Sequence, residues 1–245
     1  MYNFIKKNIV RFFPGLTRRY EPLFRHVLAR VYKGDRVYCT VCESSLRQFI
    51  VHPTGDLCPG CGSLGRHRRL WAILQEQVPL RRDERILHFS PSRLIQKKLK
   101  QQFPYYVSTD YDGGLHTDKT LDITNIDEPD NTYHVIICYH VLEHIVEDHK
   151  AISELYRVLK PGGKAIIQTP FKEGEIYEDV TITGPEQRKL HFGQEDHVRI
   201  YSANGLKQRL EAASFEVEVL SFQELLDNRF GFKTEENILI ACKPA

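Results

Sequence analysis

Nowhere does this 245-residue sequence hold a run approaching ~18 consecutive apolar residues, which excludes a membrane-spanning helix. No apolar segment near the start is followed by a small-residue cleavage site, so no secretory signal is expected. There is no G-x-G-x-x-G run, which removes the usual fingerprint of a dinucleotide site. Net charge is also scarce, at +2. The remaining composition is that of a soluble globular protein, long enough for one full α/β domain and a smaller appendage.

The small net charge hides an uneven distribution. Residues 1–82 hold 15 Lys or Arg against 5 Asp or Glu, and residues 83–245 hold 19 against 27. A basic front half suits nucleic acid, an anionic membrane surface, an acidic substrate or the acidic remainder of the same chain, or it is a solvated face. At the very start Phe4, Ile5, Ile9, Val10, Phe12 and Phe13 interleave with Lys6, Lys7 and Arg11. Such a segment either lies on an anionic bilayer through residues 1–13 or packs as a helix on protein. Pro14-Gly15 interrupts it, and a second helix is expected around residues 23–31.

Six cysteines occur, four of them in two pairs. Cys39, Cys42, Cys58 and Cys61 spell C-x2-C-x15-C-x2-C. Each pair can turn two sulfurs toward one centre, and four thiolates complete a tetrahedral zinc site. With no secretory signal, two disulfides are the weaker reading. Four cysteines close the coordination shell, so the zinc is expected to be structural. A strand over residues 47–52 and a turn at Pro53-Thr54-Gly55-Asp56 would make a small zinc ribbon. Cys138 and Cys242 fall on expected strands and read as core residues. After the ribbon comes a helix with Leu70, Ile73, Leu74 and Gln77 on one face and Trp71 adding area. Its first turn carries Arg66, His67, Arg68 and Arg69, a cluster suited either to phosphate or to ion pairs.

The remainder alternates strands and helices. Residues 85–89 read as a first strand, followed by a turn at Ser90-Pro91-Ser92 with Ser90 or Ser92 as helix cap. Residues 105–109 read as a second strand ending in Asp110, and Leu121-Asp122-Ile123 ends a short third. Val135 to Cys138 is an apolar run expected of a strand buried on both faces. His140 to His144 then crowds titratable residues just past its end. Asp148 can cap a helix whose apolar positions Ala151, Ile152, Leu155, Val158 and Leu159 follow the helical period. Lys160-Pro161-Gly162-Gly163 is expected to stop that helix and turn the chain into a strand at residues 165–168. Residues 170–190 read as a long irregular insertion, a lid or acceptor wall. Next, residues 191–202 pack His191, Phe192, Glu195, Asp196, His197, Arg199 and Tyr201 together before a helix at 203–213. An Asp196–His197 pair could take a proton from an acceptor hydroxyl. Alternatively His191, Asp196 and His197 hold a divalent cation, or Asp196 and Arg199 fix the loop by ion pairing. Strands at residues 215–220 and 238–242 finish the chain.

Residues 133–170 resemble the central part of class I S-adenosylmethionine-dependent methyltransferases, through His134-Val135-Ile136, Val141-Leu142-Glu143-His144 and the R-V-L-K-P-G-G run at 157–163. Leu87-His88-Phe89-Ser90-Pro91 departs from the family's glycine-rich first turn. It resembles instead a subset with an L-H-F-[AS]-P turn and a preceding four-cysteine zinc ribbon. The resemblance implies an α/β fold: a Rossmann-like seven-stranded sheet with its last strand antiparallel, preceded by the ribbon and N-terminal helices. It divides the chain into a helical segment 1–36, the ribbon 37–65, a connecting helix 66–82 and a methyltransferase domain 83–245. It implies S-adenosylmethionine as cofactor, contacted by His88, Ser90, Asp110, Tyr111, Asp122, Ile123 and His140. Asp110 would accept the ribose hydroxyls. His197, with Asp196, would be the base, and His140 would line the transfer site, whereas His144 would only fix its loop. The implied acceptor is a glycan, a lipid-linked sugar or a small metabolite; RNA, suited by the zinc ribbon with Arg66 to Arg69, comes second. A non-catalytic binding module on the same fold is the third reading. The expected location is cytoplasmic, peripheral to a membrane if residues 1–13 bind one.

Overall fold

The computed structural model describes residues 14–113, 117–224 and 227–245. The proposed membrane-facing segment at 1–13 lies outside them. The chain divides into two compact units. The first takes the described residues through Pro79 together with Gln223–Thr234, and the second takes Leu80–Phe222 and Glu235–Ala245. The segment at 223–234, expected to stay with residues 83–245, therefore groups with the cysteine-bearing unit.

The first unit contains α1 (Pro14–Val31), β1 (Lys33–Cys39), β2 (Ser44–Leu46) and α2 (Gly65–Glu76). Proline is tolerated in the first turn of α1 because its missing N–H would have no helical partner there. β1 and β2 pair antiparallel and carry Cys39 to the end of β1. The strand expected at 47–52 is reduced to an isolated bridge between Ile50 and Leu57. Leu70, Trp71, Ile73 and Leu74 bury one face of α2.

The second unit is a sheet flanked by helices. Its elements are β3 (Ile86–Phe89), α3 (Arg93–Gln102), β4 (Tyr106–Asp110), β5 (Lys119–Thr120), β6 (Tyr133–Tyr139), α4 (Asp148–Val158), β7 (Leu159–Gln168), β8 (Tyr177–Glu178), α5 (Pro185–Phe192), β9 (Arg199–Ile200), α6 (Ala203–Ala212), β10 (Glu216–Gln223) and β11 (Glu235–Cys242). Seven strands run in the order β10-β11-β7-β6-β3-β4-β5. β3, β4, β5, β6 and β7 pair parallel, and β11 pairs antiparallel to β7. Every residue of β3 is buried, as is all of β6 except His134. A parallel strand covered on both faces requires such runs.

Two local expectations change. The K-P-G-G segment is a bulge inside β7, which begins at Leu159 directly after α4; the β6–β7 register shifts beside it, between Tyr133 and Val135. Gly163 is required there, because a Cβ would sit 2.8 Å from the Lys160 carbonyl and 2.9 Å from that of His134. The insertion at 170–190 is not irregular either: it contains β8 and the start of α5, and β8 pairs antiparallel with β9.

Candidate active site

The chain runs outward from β3 through β4 to β5, then returns to the other side of β3 for β6 and β7. The reversal makes a topological switch point at the carboxyl ends of β3 and β6, where ligands of open α/β sheets bind. Ser90 follows β3 and His140 follows β6, and both have left-handed backbone, with φ of 45° and 56°. Few non-glycine residues adopt that conformation. Ser90 thus makes, without glycine, a sharp turn of the kind glycine usually supplies. The turn is held by the Ser90 N–H donating to the Thr109 carbonyl at 2.8 Å, and the His140 N–H donates to the Gln168 carbonyl at 2.8 Å.

Asp110 stands at the end of β4. Its Oδ1 accepts from the Tyr111 N–H at 2.9 Å and from the Ser90 hydroxyl at 3.2 Å. The two loops at β3 and β4 are thereby locked together, and Ser90 does not cap α3. Ser92 occupies that position without a side-chain bond. Leu121 donates its N–H to the Asp110 carbonyl at 3.3 Å, which ties residue 121 to the end of β4. Asp122 Oδ1 is occupied by the Thr124 N–H and hydroxyl, both at 2.8 Å, and Ile123 is buried in the core. Tyr111 is exposed. His88 is set apart from this group. It is buried within β3, with Nδ1 3.0 Å from the Tyr106 hydroxyl, and serves packing between strands.

Beyond β6 a second group gathers. Glu143 is 1% exposed, and neither carboxylate oxygen accepts a hydrogen bond. His140 Nδ1 lies 3.3 Å from its Oε1, at ion-pair range without hydrogen-bond geometry. The His144 and His197 rings meet edge to face, with centroids 4.6 Å apart. His197 is 4% exposed and its Nδ1 is 3.2 Å from the Phe192 carbonyl. A carbonyl only accepts, so Nδ1 carries the proton and Nε2 keeps its lone pair. That Nε2 is buried with no partner. Burial, then the neighbouring His144, lowers the affinity of His197 for a second proton.

Asp196 does not pair with His197 as expected. Its Oδ2 lies 3.3 Å from His144 Nδ1, and its side chain is 62% exposed. His191 is also elsewhere, 2.6 Å from the Tyr177 hydroxyl, so the set His191, Asp196 and His197 does not assemble. The titratable group that does assemble is Glu143, His144 and His197.

The loop carrying His197 is fixed from both sides. Val198 donates to the Glu143 carbonyl at 2.9 Å. Arg199 donates to the carbonyls of Ile145 and Val146 and pairs with Glu178 at 2.8 Å and with Asp148 at 3.6 Å. Asp148, expected as a helix cap, is instead buried between Arg199, Arg209 and the Tyr201 hydroxyl. Arg209 also reaches Glu178. Arg199 therefore fixes the loop, with Glu178 and Asp148 as its partners and not Asp196. Neither Asp148 nor Arg209 was legible as part of this network from local sequence.

In the first unit the four cysteine sulfurs converge within 4.8 Å of one another. Cys39 and Cys61 are 3.6 Å apart, and Cys42 and Cys58 are 3.7 Å apart. Four sulfurs ~2.3 Å from one zinc ion stand ~3.8 Å from each other, whereas a disulfide needs ~2.05 Å. Thiol donors at this spacing fit zinc. Ser63 Oγ lies 3.2 Å from both Cys39 and Cys61.

Arg68 lies fully buried nearby. Its guanidinium donates to the carbonyls of Ser63 at 2.7 Å, Phe230 at 2.6 Å, Gly231 at 2.6 Å and Asp56 at 3.0 Å. It also stacks 4.0 Å above Phe49. Arg69 pairs with Glu224 and stacks on Phe232. These two members of the basic cluster are engaged inside their own unit.

A family model described as "Methyltransferase domain" matches residues 56–220, more than half of the chain. A relative from Mycolicibacterium smegmatis (strain ATCC 700084 / mc(2)155), described as a probable S-adenosylmethionine-dependent methyltransferase, is 32% identical over 90 residues. That stretch is 37% of this chain and 31% of the relative, so the match spans about a third of the relative's length. Among solved structures, an S-adenosylmethionine-dependent methyltransferase from Archaeoglobus fulgidus has a TM-score of 0.51 at 17% identity, covering 74% of this chain and 94% of that one. A Haemonchus contortus phosphoethanolamine N-methyltransferase gives 0.54 at 16%, covering 74% and 54%. The [4+2]-cyclase SpnF gives 0.53 at 15%, covering 94% and 96%. At such identities the structures speak for the fold alone. Together with the matched model, they settle the family: the chain belongs to the class I, S-adenosylmethionine-dependent methyltransferases.

Proposed function

We propose that the protein transfers a methyl group from S-adenosylmethionine to an oxygen or nitrogen nucleophile of a sugar, glycan precursor or small metabolite. The observation that carries this reading is the topological switch point at the carboxyl ends of β3 and β6, with Ser90 and His140 following those strands and Asp110 ending β4, and with the largely buried Glu143–His144–His197 group beyond β6. When bound, the cofactor supplies an electrophilic methyl on a sulfonium. Asp110, held by Ser90 and the Tyr111 N–H, would present a carboxylate to the ribose hydroxyls. The turn at Ser90 would take the methionine end, near the N-terminus of α3. His140 would line the transfer site. The nucleophile would be oriented and lose its proton at the Glu143–His144–His197 group, since in-line transfer needs alignment as well as deprotonation.

The four thiols would hold a structural zinc. Reduced cysteines suit the cytoplasm. No helix among the described residues is long and apolar enough to cross a membrane. RNA as acceptor is less favoured, because Arg68 and Arg69 spend their charge on internal partners. The test is transfer of radiolabelled methyl to sugar nucleotides, oligosaccharides and RNA offered in parallel. Label in a carbohydrate fraction is expected. Label in RNA alone overturns the acceptor class, and a protein that neither binds cofactor nor transfers label is the non-catalytic module.

A further inference from the structure

Glu143 and His197 are anomalous for groups assigned only to packing. A buried carboxylate without hydrogen bonds is costly, and so is a buried imidazole nitrogen with a vacant lone pair. Among the described residues Glu143 has only the His140 imidazole beside it, at ion-pair range of 3.3 Å, and Glu143 and His197 lie in one cluster. The ligand atoms of Glu143, His144 and His197 all lie within 4.8 Å of one another. In each ring Nδ1 already has a partner. His144 Nδ1 faces the Asp196 carboxylate at 3.3 Å, and His197 Nδ1 faces the Phe192 carbonyl at 3.2 Å. Histidines that ligate metals show this arrangement, one nitrogen held by a carboxylate or a carbonyl and the other left for the ion. The backbone bond from Val198 to Glu143 joins the two loops that bring the donors together. His140 and His144, about a third exposed at 32% and 30%, mark the solvent side of the cluster.

We propose that Glu143, His144 and His197 bind a divalent cation of the Mn(II) class, with Asp196 orienting His144, and that the acceptor's hydroxyl oxygen takes one of its open positions. Two imidazoles and a carboxylate suit a borderline or hard divalent ion, in contrast to the four soft thiolates of the first unit. The metal site stands on its own geometry; its role toward a hydroxyl rests on the methyltransferase reading. A hydroxyl bound to such an ion ionises more easily. Its proton leaves to bulk water, the O–C bond forms as the S–C bond breaks, and the electron pair stays on sulfur. The acceptor atom is thereby narrowed to oxygen, and His197 serves as a ligand, not as a base.

The test is calorimetric and electron-paramagnetic titration of the full chain with Mn²⁺, with and without S-adenosylhomocysteine. Mn²⁺ is chosen because thiolates bind it weakly, so the cysteine centre does not compete. The wild type is expected to take up one Mn²⁺ at the new site. Glu143→Gln and His197→Ala should each weaken binding ~100-fold or more while leaving S-adenosylhomocysteine binding in place, and Asp196→Ala should weaken it ~10-fold, as loss of an orienting partner does. Asp196 is exposed, so its variant remains informative if the buried changes impair folding. A wild type that binds no Mn²⁺ at millimolar concentration overturns the proposal, as does an affinity unchanged in Asp196→Ala and in every folded ligand variant. Loss of S-adenosylhomocysteine binding by the wild type, with Mn²⁺ binding intact, would instead overturn the methyltransferase reading.

Discussion

Replacing Arg68 by Met should destabilise the first unit by about 4 kcal/mol or more. The change keeps much of the side-chain volume but removes every donor. Four carbonyls then lose the guanidinium: that of Gly231 is buried, those of Phe230 and Asp56 are partly buried, and that of Ser63 still accepts from the Cys58 N–H at 2.8 Å. Each buried acceptor left unsatisfied costs ~1–3 kcal/mol, and bonds to a charged donor lie at the stronger end. Loop relaxation and water recover part of the sum, so ~4 kcal/mol is a conservative total. Whole domains are stable by only ~5–15 kcal/mol, so the loss approaches global unfolding of this unit. Arg68→Lys should fall between the two, since a compact ammonium cannot span four acceptors. The assay is urea denaturation followed by fluorescence of Trp71, the single tryptophan in the chain, which is 3% exposed beside Arg68 on α2. A midpoint for Arg68→Met within the equivalent of ~1 kcal/mol of wild type would refute the reasoning that these bonds carry much of the unit's stability.

Two further outcomes follow from the cysteine centre and the ion pairs. Elemental analysis should find one zinc per chain, and a strong chelator should lower the Trp71-monitored transition; a metal-free wild type with an unchanged transition contradicts the zinc assignment, and Cys58→Ser serves as control. On acidification the fold should weaken. The Arg157 guanidinium holds Glu154 below the usual carboxylate range; for Glu178 burial acts upward, but bonds to Arg209 and Arg199 overcome it and hold it low as well. Both bind protons more readily when unfolded. Their contribution is therefore complete above the unfolded value of ~4.3 and is lost as pH falls through the lower folded values. Thermal midpoints should be level above pH ~7, begin to fall below pH ~6.5 because buried His197 takes up a second proton less readily folded than unfolded, and drop further below pH ~4; a midpoint that rises on acidification contradicts the pairing.

The parts of this structure that could be read from sequence are those fixed by local pattern. β6 was legible because burial on both faces demands an uninterrupted apolar run. The cysteine pairs were legible because two C-x2-C turns have one obvious joint use. Asp110 was legible as the acid at a strand end. What stayed hidden depends on partners distant in the chain. Arg68 lies 162 residues from the Phe230 carbonyl it holds, and carbonyls leave no mark in a sequence. Asp148 had the local look of a helix cap, but Arg209 and Tyr201 claim it from 61 and 53 residues away. Asp196 lies next to His197 in sequence, yet it pairs with His144 across the loop. The K-P-G-G run had turn chemistry and became a bulge, because Gly163 must pass close to the carbonyls of Lys160 and His134.

The central claim is that a glycine-free turn at Ser90 still forms one side of a cofactor site whose ribose ligand is Asp110. Calorimetric titration of S-adenosylhomocysteine into wild type and Asp110→Ala tests it most directly. Two charge-assisted hydrogen bonds to a diol, at ~1.5 kcal/mol or more each, predict wild-type binding and a loss of about 100-fold or more in the variant. Equal affinity in the two proteins, or no binding by the wild type at millimolar ligand, would contradict it.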